Sequence, residues 1–132
     1  MKGSVLNCIE KKLKSFVQGD EEMKKVFYGA CTDKEMDSWN YFVFNRKKTY
    51  KSGTSRTDMQ TDYEIHIVHE DYIPEGFVEK VIEELQTSDA ELGVKLKLKD
   101  DDIVYDYTFK NNTGLVVEIA TFTVTRPCKR CA

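Results

Sequence analysis

Between Gln60 and Val68 the chain alternates, with Tyr63, Ile65 and Ile67 on one side of the register and Asp62, Glu64 and His66 on the other. Period-two alternation of this kind marks a β-strand with one face against a core and the other in water. Such a strand cannot stand alone. It requires neighbouring strands and a cover on one face, and the rest of the chain has to supply both.

Two segments carry the pattern of that cover. From Ser4 to Val17, apolar Val5, Leu6, Ile9, Leu13, Phe16 and Val17 recur at helical spacing, with Lys11, Lys12 and Lys14 toward solvent and Ser4 as N-cap. Pro74 opens a second helix with a stripe of Phe77, Val78, Val81, Ile82 and Leu85 and an outer face of Glu75, Glu79, Glu83 and Glu84. Strand patterns recur at Trp39 to Phe44 (apolar on both faces), at Val94, Leu96 and Leu98, and at Ile103 to Phe109. Asp100-Asp101-Asp102 reads as a charged turn. Asn111-Asn112-Thr113-Gly114 reads as a hairpin turn into a return strand, Leu115 to Thr125, which Pro127 stops. Glu21 to Asp37 has no sustained period and holds at most a short helix before a loop. Residues 46–57 read as a long basic loop and 127–132 as a flexible tail.

Two helices cannot cover both faces of the sheet these strands imply. The expected fold is therefore α+β: a single, mostly antiparallel sheet of about five strands with two helices packed on one face. With 132 residues, 40% hydrophobic and 33% charged, the chain forms one domain over 1–132 with an ordinary core. A net charge of −3 makes a dedicated nucleic-acid partner unexpected, and no apolar run is long enough for a membrane helix. The first residues lack the apolar core of a signal peptide, which implies folding in the cytoplasm. In that reducing setting Cys8 and Cys31 are read as thiols rather than disulfides.

Motifs for catalysis are missing: no phosphate-binding glycine loop, no Gly-x-Ser-x-Gly and no His-Glu-x-x-His occur. His66 and His69, the two histidines, are expected at the surface, His66 on the wet face of its strand and His69 at its end. Asp100-Asp101-Asp102 lacks the spacing and closing glutamate of a calcium loop. Cys128-Lys129-Arg130-Cys131 has zinc-ligand spacing but no matching second pair, so no metal and no cofactor is expected, with zinc shared between subunits as a minor option. Charge patterning is more informative. Arg46 to Arg56 carries Arg46, Lys47, Lys48, Lys51 and Arg56 around Tyr50, with no acid. Glu75 to Glu91 holds Glu75, Glu79, Glu83, Glu84, Asp89 and Glu91 against the single base Lys80. A basic segment and an acidic helix on one molecule suit head-to-tail contact between copies. Contact of the basic segment with phosphate and bases, and a plain solvated loop, are the other readings.

In layout the chain resembles the tail terminator, or tail-completion, proteins of lambda-like long-tailed bacteriophages and prophages. The likeness lies in the N-terminal amphipathic helix, the aromatic strand Trp39 to Phe44, the basic segment, the strand Thr61-Asp62-Tyr63-Glu64-Ile65-His66-Ile67, the acidic helix and the final hairpin ending in Phe122-Thr123-Val124-Thr125-Arg126. The resemblance implies a homo-oligomeric ring, typically a hexamer, without catalytic residues. Such a ring caps the tail tube in the host bacterial cytoplasm, contacts the tube protein and the head–tail connector, and stays in the virion tail. The candidate contact residues, read from the charge pattern above, are Arg46, Lys47, Lys48, Tyr50, Lys51, Arg56, Glu75, Glu79, Glu83 and Glu84. The alternatives are another head–tail connector or minor tail component, and a small ligand-binding or enzymatic domain whose pocket is lined by Trp39, Tyr41, Tyr63, Tyr105 and Tyr107.

Overall fold

The structure, a computed structural model, describes residues 5–19, 23–33, 38–51, 59–87, 95–110 and 113–126. In chain order the elements are α1 (Val5–Gly19), β1 (Lys25–Tyr28), β2 (Tyr41–Lys51), β3 (Met59–Glu70), α2 (Phe77–Gln86), β4 (Lys97–Phe109) and β5 (Val116–Thr125). The described strands form one sheet in the order β1-β2-β3-β5-β4. The β1–β2 pair is parallel and the other neighbouring pairs are antiparallel. The fold is α+β with a mixed sheet.

Alternation decides what each strand buries. Phe42 and Phe44 of β2, Tyr63, Ile65 and Ile67 of β3, and Ala120, Phe122 and Val124 of β5 share one face of the sheet. Onto that face pack Cys8, Ile9 and Leu13 of α1 and Phe77, Val78, Val81, Ile82 and Leu85 of α2. Both helices thus cover the same side. Phe16, Phe42 and Phe77 meet where α1, α2 and β2 converge, with ring centroids 5.7 to 6.2 Å apart. Aromatic contacts at that spacing add to the burial term.

Several expectations need correction. The basic segment is not a loop as far as Lys51: Arg46 to Lys51 is the outer half of β2, laddered to β3 from Tyr63 back to Met59. A strand exposed on both faces has no apolar alternation, so its sequence looks like loop. Arg56 lies outside the described residues. The unpatterned stretch before Asp37 contains β1 rather than a helix. Four residues are too few to display a period, yet Phe27 packs on Tyr41 and Tyr28 on Phe44, with centroids 5.6 and 5.2 Å apart. The strands expected around Leu96 and at Ile103 to Phe109 are one strand, β4. Its ladder breaks between Lys99 and Val104 in a bulge instead of turning. Counting its two paired stretches separately makes six strand segments rather than five. Helix α2 begins at Phe77, not Pro74, with Gly76 at the N-cap in left-handed conformation (φ 85°), where glycine is favoured. Lys12 does not face solvent and His69 is not at the surface; both are buried. The Ser4 cap, Asp89 and Glu91, the Asn111-Asn112 turn residues and the tail with Cys128 and Cys131 lie outside the described residues.

Candidate functional site

Gly29 sets the shape of one sheet edge. Its amide still donates to the Phe44 carbonyl at 2.9 Å, but its φ of 86° ends β1 at Tyr28. From Asn45 onward β2 therefore has no strand beside it on that side among the described residues. This open stretch carries Arg46, Lys47, Lys48 and Lys51, all exposed.

Not all of the basic cluster points outward. A bulge between Arg46 and Lys48 turns Lys47 over the uncovered face, where its Nζ donates to Thr123 Oγ1 at 3.3 Å. Tyr50 donates to Asp62 Oδ1 at 3.1 Å, and Lys99 Nζ donates to both Tyr50 Oη (2.8 Å) and Asp62 Oδ2 (2.6 Å). Asp62 is only 1% exposed, so the pairing neutralises a carboxylate that burial would otherwise penalise. Its hydrogen bond, with that of Tyr50, holds the Lys99 ammonium well above the usual lysine range. Lys48 and Lys99 also lie 5.3 and 4.4 Å from the centre of the Tyr50 ring. Tyr50 is thus held by contacts within its own subunit. Arg46, Lys48 and Lys51 remain as the outward charges.

The acidic group lies on the other flank of the sheet. Glu75 and Glu79 line a groove of about 490 Å³ with Tyr72, Tyr105 and Glu118. Glu118 accepts from the Ile73 amide (2.8 Å) and from Tyr107 Oη (2.7 Å). Burial, followed by the carboxylates of Glu79 and Glu118, pushes the Tyr105 phenol up. Glu83 is exposed. Glu84 contributes its carbonyl to Lys12, whose Nζ donates there at 3.1 Å, to Thr87 Oγ1 at 2.8 Å and to the Thr87 carbonyl, tying α1 to the end of α2. With β3 and β5 lying between β2 and β4, a single copy does not bring the basic and acidic groups together.

The surface that sequence reasoning missed is the outer edge of β4. Val104, Tyr105, Tyr107 and Phe109 are 55, 44, 64 and 64% exposed, and β4 has no strand on its far side among the described residues. The alternation that predicts the strand is present in the sequence; its place at the edge is not.

The proposed aromatic pocket does not form. Tyr63 is in the core, Tyr41 pairs with Val68 on the opposite face, and Tyr105 opens onto the groove by α2. His66 deserves comparison with a catalytic relay, because its Nδ1 is 2.9 Å from Thr121 Oγ1 and its Nε2 is 3.3 Å from Glu64. Asn45 Oδ1 also approaches Nε2, at 3.2 Å. These side chains form a polar ladder across β2, β3 and β5, and neither this groove nor a second one by Lys14 and Lys24 reaches them. Among the described residues no three His, Cys, Asp or Glu side chains converge as a metal site, and no helix is long and apolar enough to cross a membrane.

No family model and no curated protein matches the chain. Solved structures do. One, of a protein whose name states no function, is similar over 94% of each chain at a TM-score of 0.55 and 10% identity. At that identity the likeness speaks for the fold alone.

Proposed function

We propose that this chain is a structural assembly protein of the tail-terminator kind, whose copies form a ring, a hexamer on the family pattern. The ring caps a tail tube and offers the surface to which the head docks. Its partners are further copies of itself, the tube protein and the head–tail connector, met in the bacterial cytoplasm and retained in the virion tail; no catalysis or cofactor is involved. The observation that carries this reading is the row Val104, Tyr105, Tyr107 and Phe109, exposed along an edge that no other described strand pairs. Exposed apolar surface of this kind supports a reading as a protein–protein contact. The order of elements adds to it, as do the outward charges Arg46, Lys48 and Lys51 on one flank and Glu75, Glu79 and Glu83 on the other.

Electron microscopy of tail tubes mixed with the purified protein tests the reading. Tubes assembled from a purified long-tailed phage tube protein should acquire a ring at one end and stop lengthening. Tubes that stay bare and continue to grow would overturn it.

A further inference from the structure

We propose that copies join edge to edge, the open β2 edge of one subunit (residues 45–51) adding as an antiparallel strand to the β4 edge (residues 104–109) of the next. The inference rests on the assembly reading above and names its interface.

Both edges lack a strand neighbour among the described residues, and an unpaired edge presents a row of backbone donors and acceptors that templates another strand. Edges meant to stay free are commonly blunted by lysine, proline or shortness. β4 has none of these between Val104 and Phe109, and it exposes apolar side chains on both faces. Lysines blunt the β2 edge against its own kind and against neutral edges, which leaves an acidic edge as its complement.

Charge decides the partner. Residues of like charge directly opposite one another destabilise a ladder. Two β2 edges would set Arg46, Lys48 and Lys51 against each other, and two β4 edges would bring Asp102 and Asp106 together. Pairing β2 with β4 instead places lysines beside Asp102 and Asp106, with Glu79 and Glu118 just behind Tyr105. Direction agrees as well. β2 is antiparallel to β3, β3 to β5 and β5 to β4, so β2 and β4 point opposite ways in every subunit. Copies repeated in one orientation about an axis along the strands therefore meet antiparallel. A head-to-tail contact of this type closes into a ring when its rotation permits.

The test uses two variants of the full chain, Lys48→Glu/Lys51→Glu and Asp102→Lys/Asp106→Lys, all at exposed positions. Light scattering against concentration at low salt should show each variant associating about tenfold more weakly than the parent. Mixing the two in equal amounts should restore assembly, because each reversed edge then faces its complement. Should a variant fold poorly, carbodiimide coupling of the assembled parent gives the same answer: mass spectrometry should find Lys48 or Lys51 joined to Asp102 or Asp106 of another copy. Both variants assembling like the parent, a mixture that does not recover, or crosslinks lying elsewhere would overturn the interface while leaving the ring reading intact. A parent that never associates would overturn both.

Discussion

Lys12 illustrates how single residues depart from the pattern around them. Its place in α1 next to Lys11 marks it as solvent-facing, yet its ammonium reaches the last carbonyls of α2, where the negative end of a helix dipole favours a cation. A distance of 72 positions in sequence hides that contact. Replacing Lys12→Met keeps the stem and removes the donor. Denaturant titration should report a loss of about 1–3 kcal/mol, the range for hydrogen bonds given by a charged donor. Glu70 offers a second test at this scale. Burial works to raise its carboxyl, but the hydrogen bond from Lys110 (2.7 Å) and that from the Trp39 amide (2.8 Å) outweigh it and hold the group below its ordinary value. A carboxylate depressed on folding stabilises the native state above its unfolded pKa, and that stability is lost as pH falls through the folded value. Parent and Glu70→Gln should therefore differ most near neutral pH and converge on acidification; a gap that is constant with pH would contradict the pairing. His69 shows the limit of reading residues from sequence. It shares the core-side register of Tyr63, Ile65 and Ile67, but nothing in its neighbourhood announces that the end of β3 is covered.

At the scale of elements, the segments that bury one face were readable and those that bury none were not. β3, β5 and both helix stripes follow from periodicity because packing on one side imposes it. The outer half of β2 obeys no such demand, so Arg46 to Lys51 resembles loop, and β1, although Val26 packs on the core, is too short for Lys25 to Tyr28 to show a period. Cross-strand pairs reveal the strand instead: the Thr49 and Thr61 hydroxyls lie 2.8 Å apart, and Tyr50 reaches Asp62. Hydrogen exchange should find alternate amides of residues 46–51 protected even in the isolated subunit. Uniformly fast exchange there would restore the loop. Changing Lys51 to Glu should alter subunit stability by no more than about 0.5 kcal/mol, as expected at an exposed position, whereas Lys48→Glu should cost more, because Lys48 faces the buried Asp62 carboxylate across the ladder and lies over the Tyr50 ring.

For the whole molecule, the class of fold was legible because two amphipathic helices and one-faced strands have few ways to combine. The strand order was not, since periodicity ranks faces and says nothing about neighbours. That order is what places Tyr105, Tyr107 and Phe109 on one edge of the described sheet and the lysines of β2 on the opposite one. The single core also makes a sharp claim. Val81 is fully buried between α2 and the sheet, so Val81→Asp should leave no folded protein by circular dichroism, an unpaired buried charge costing several kcal/mol. The central claim, that a 15.3 kDa chain with two complementary open edges works as a ring, is tested most directly by its mass in solution. Light scattering across a range of concentrations at low salt should converge on one discrete multiple of the subunit mass and fall back as salt screens the edges. A mass fixed at 15.3 kDa at every concentration and salt would contradict it.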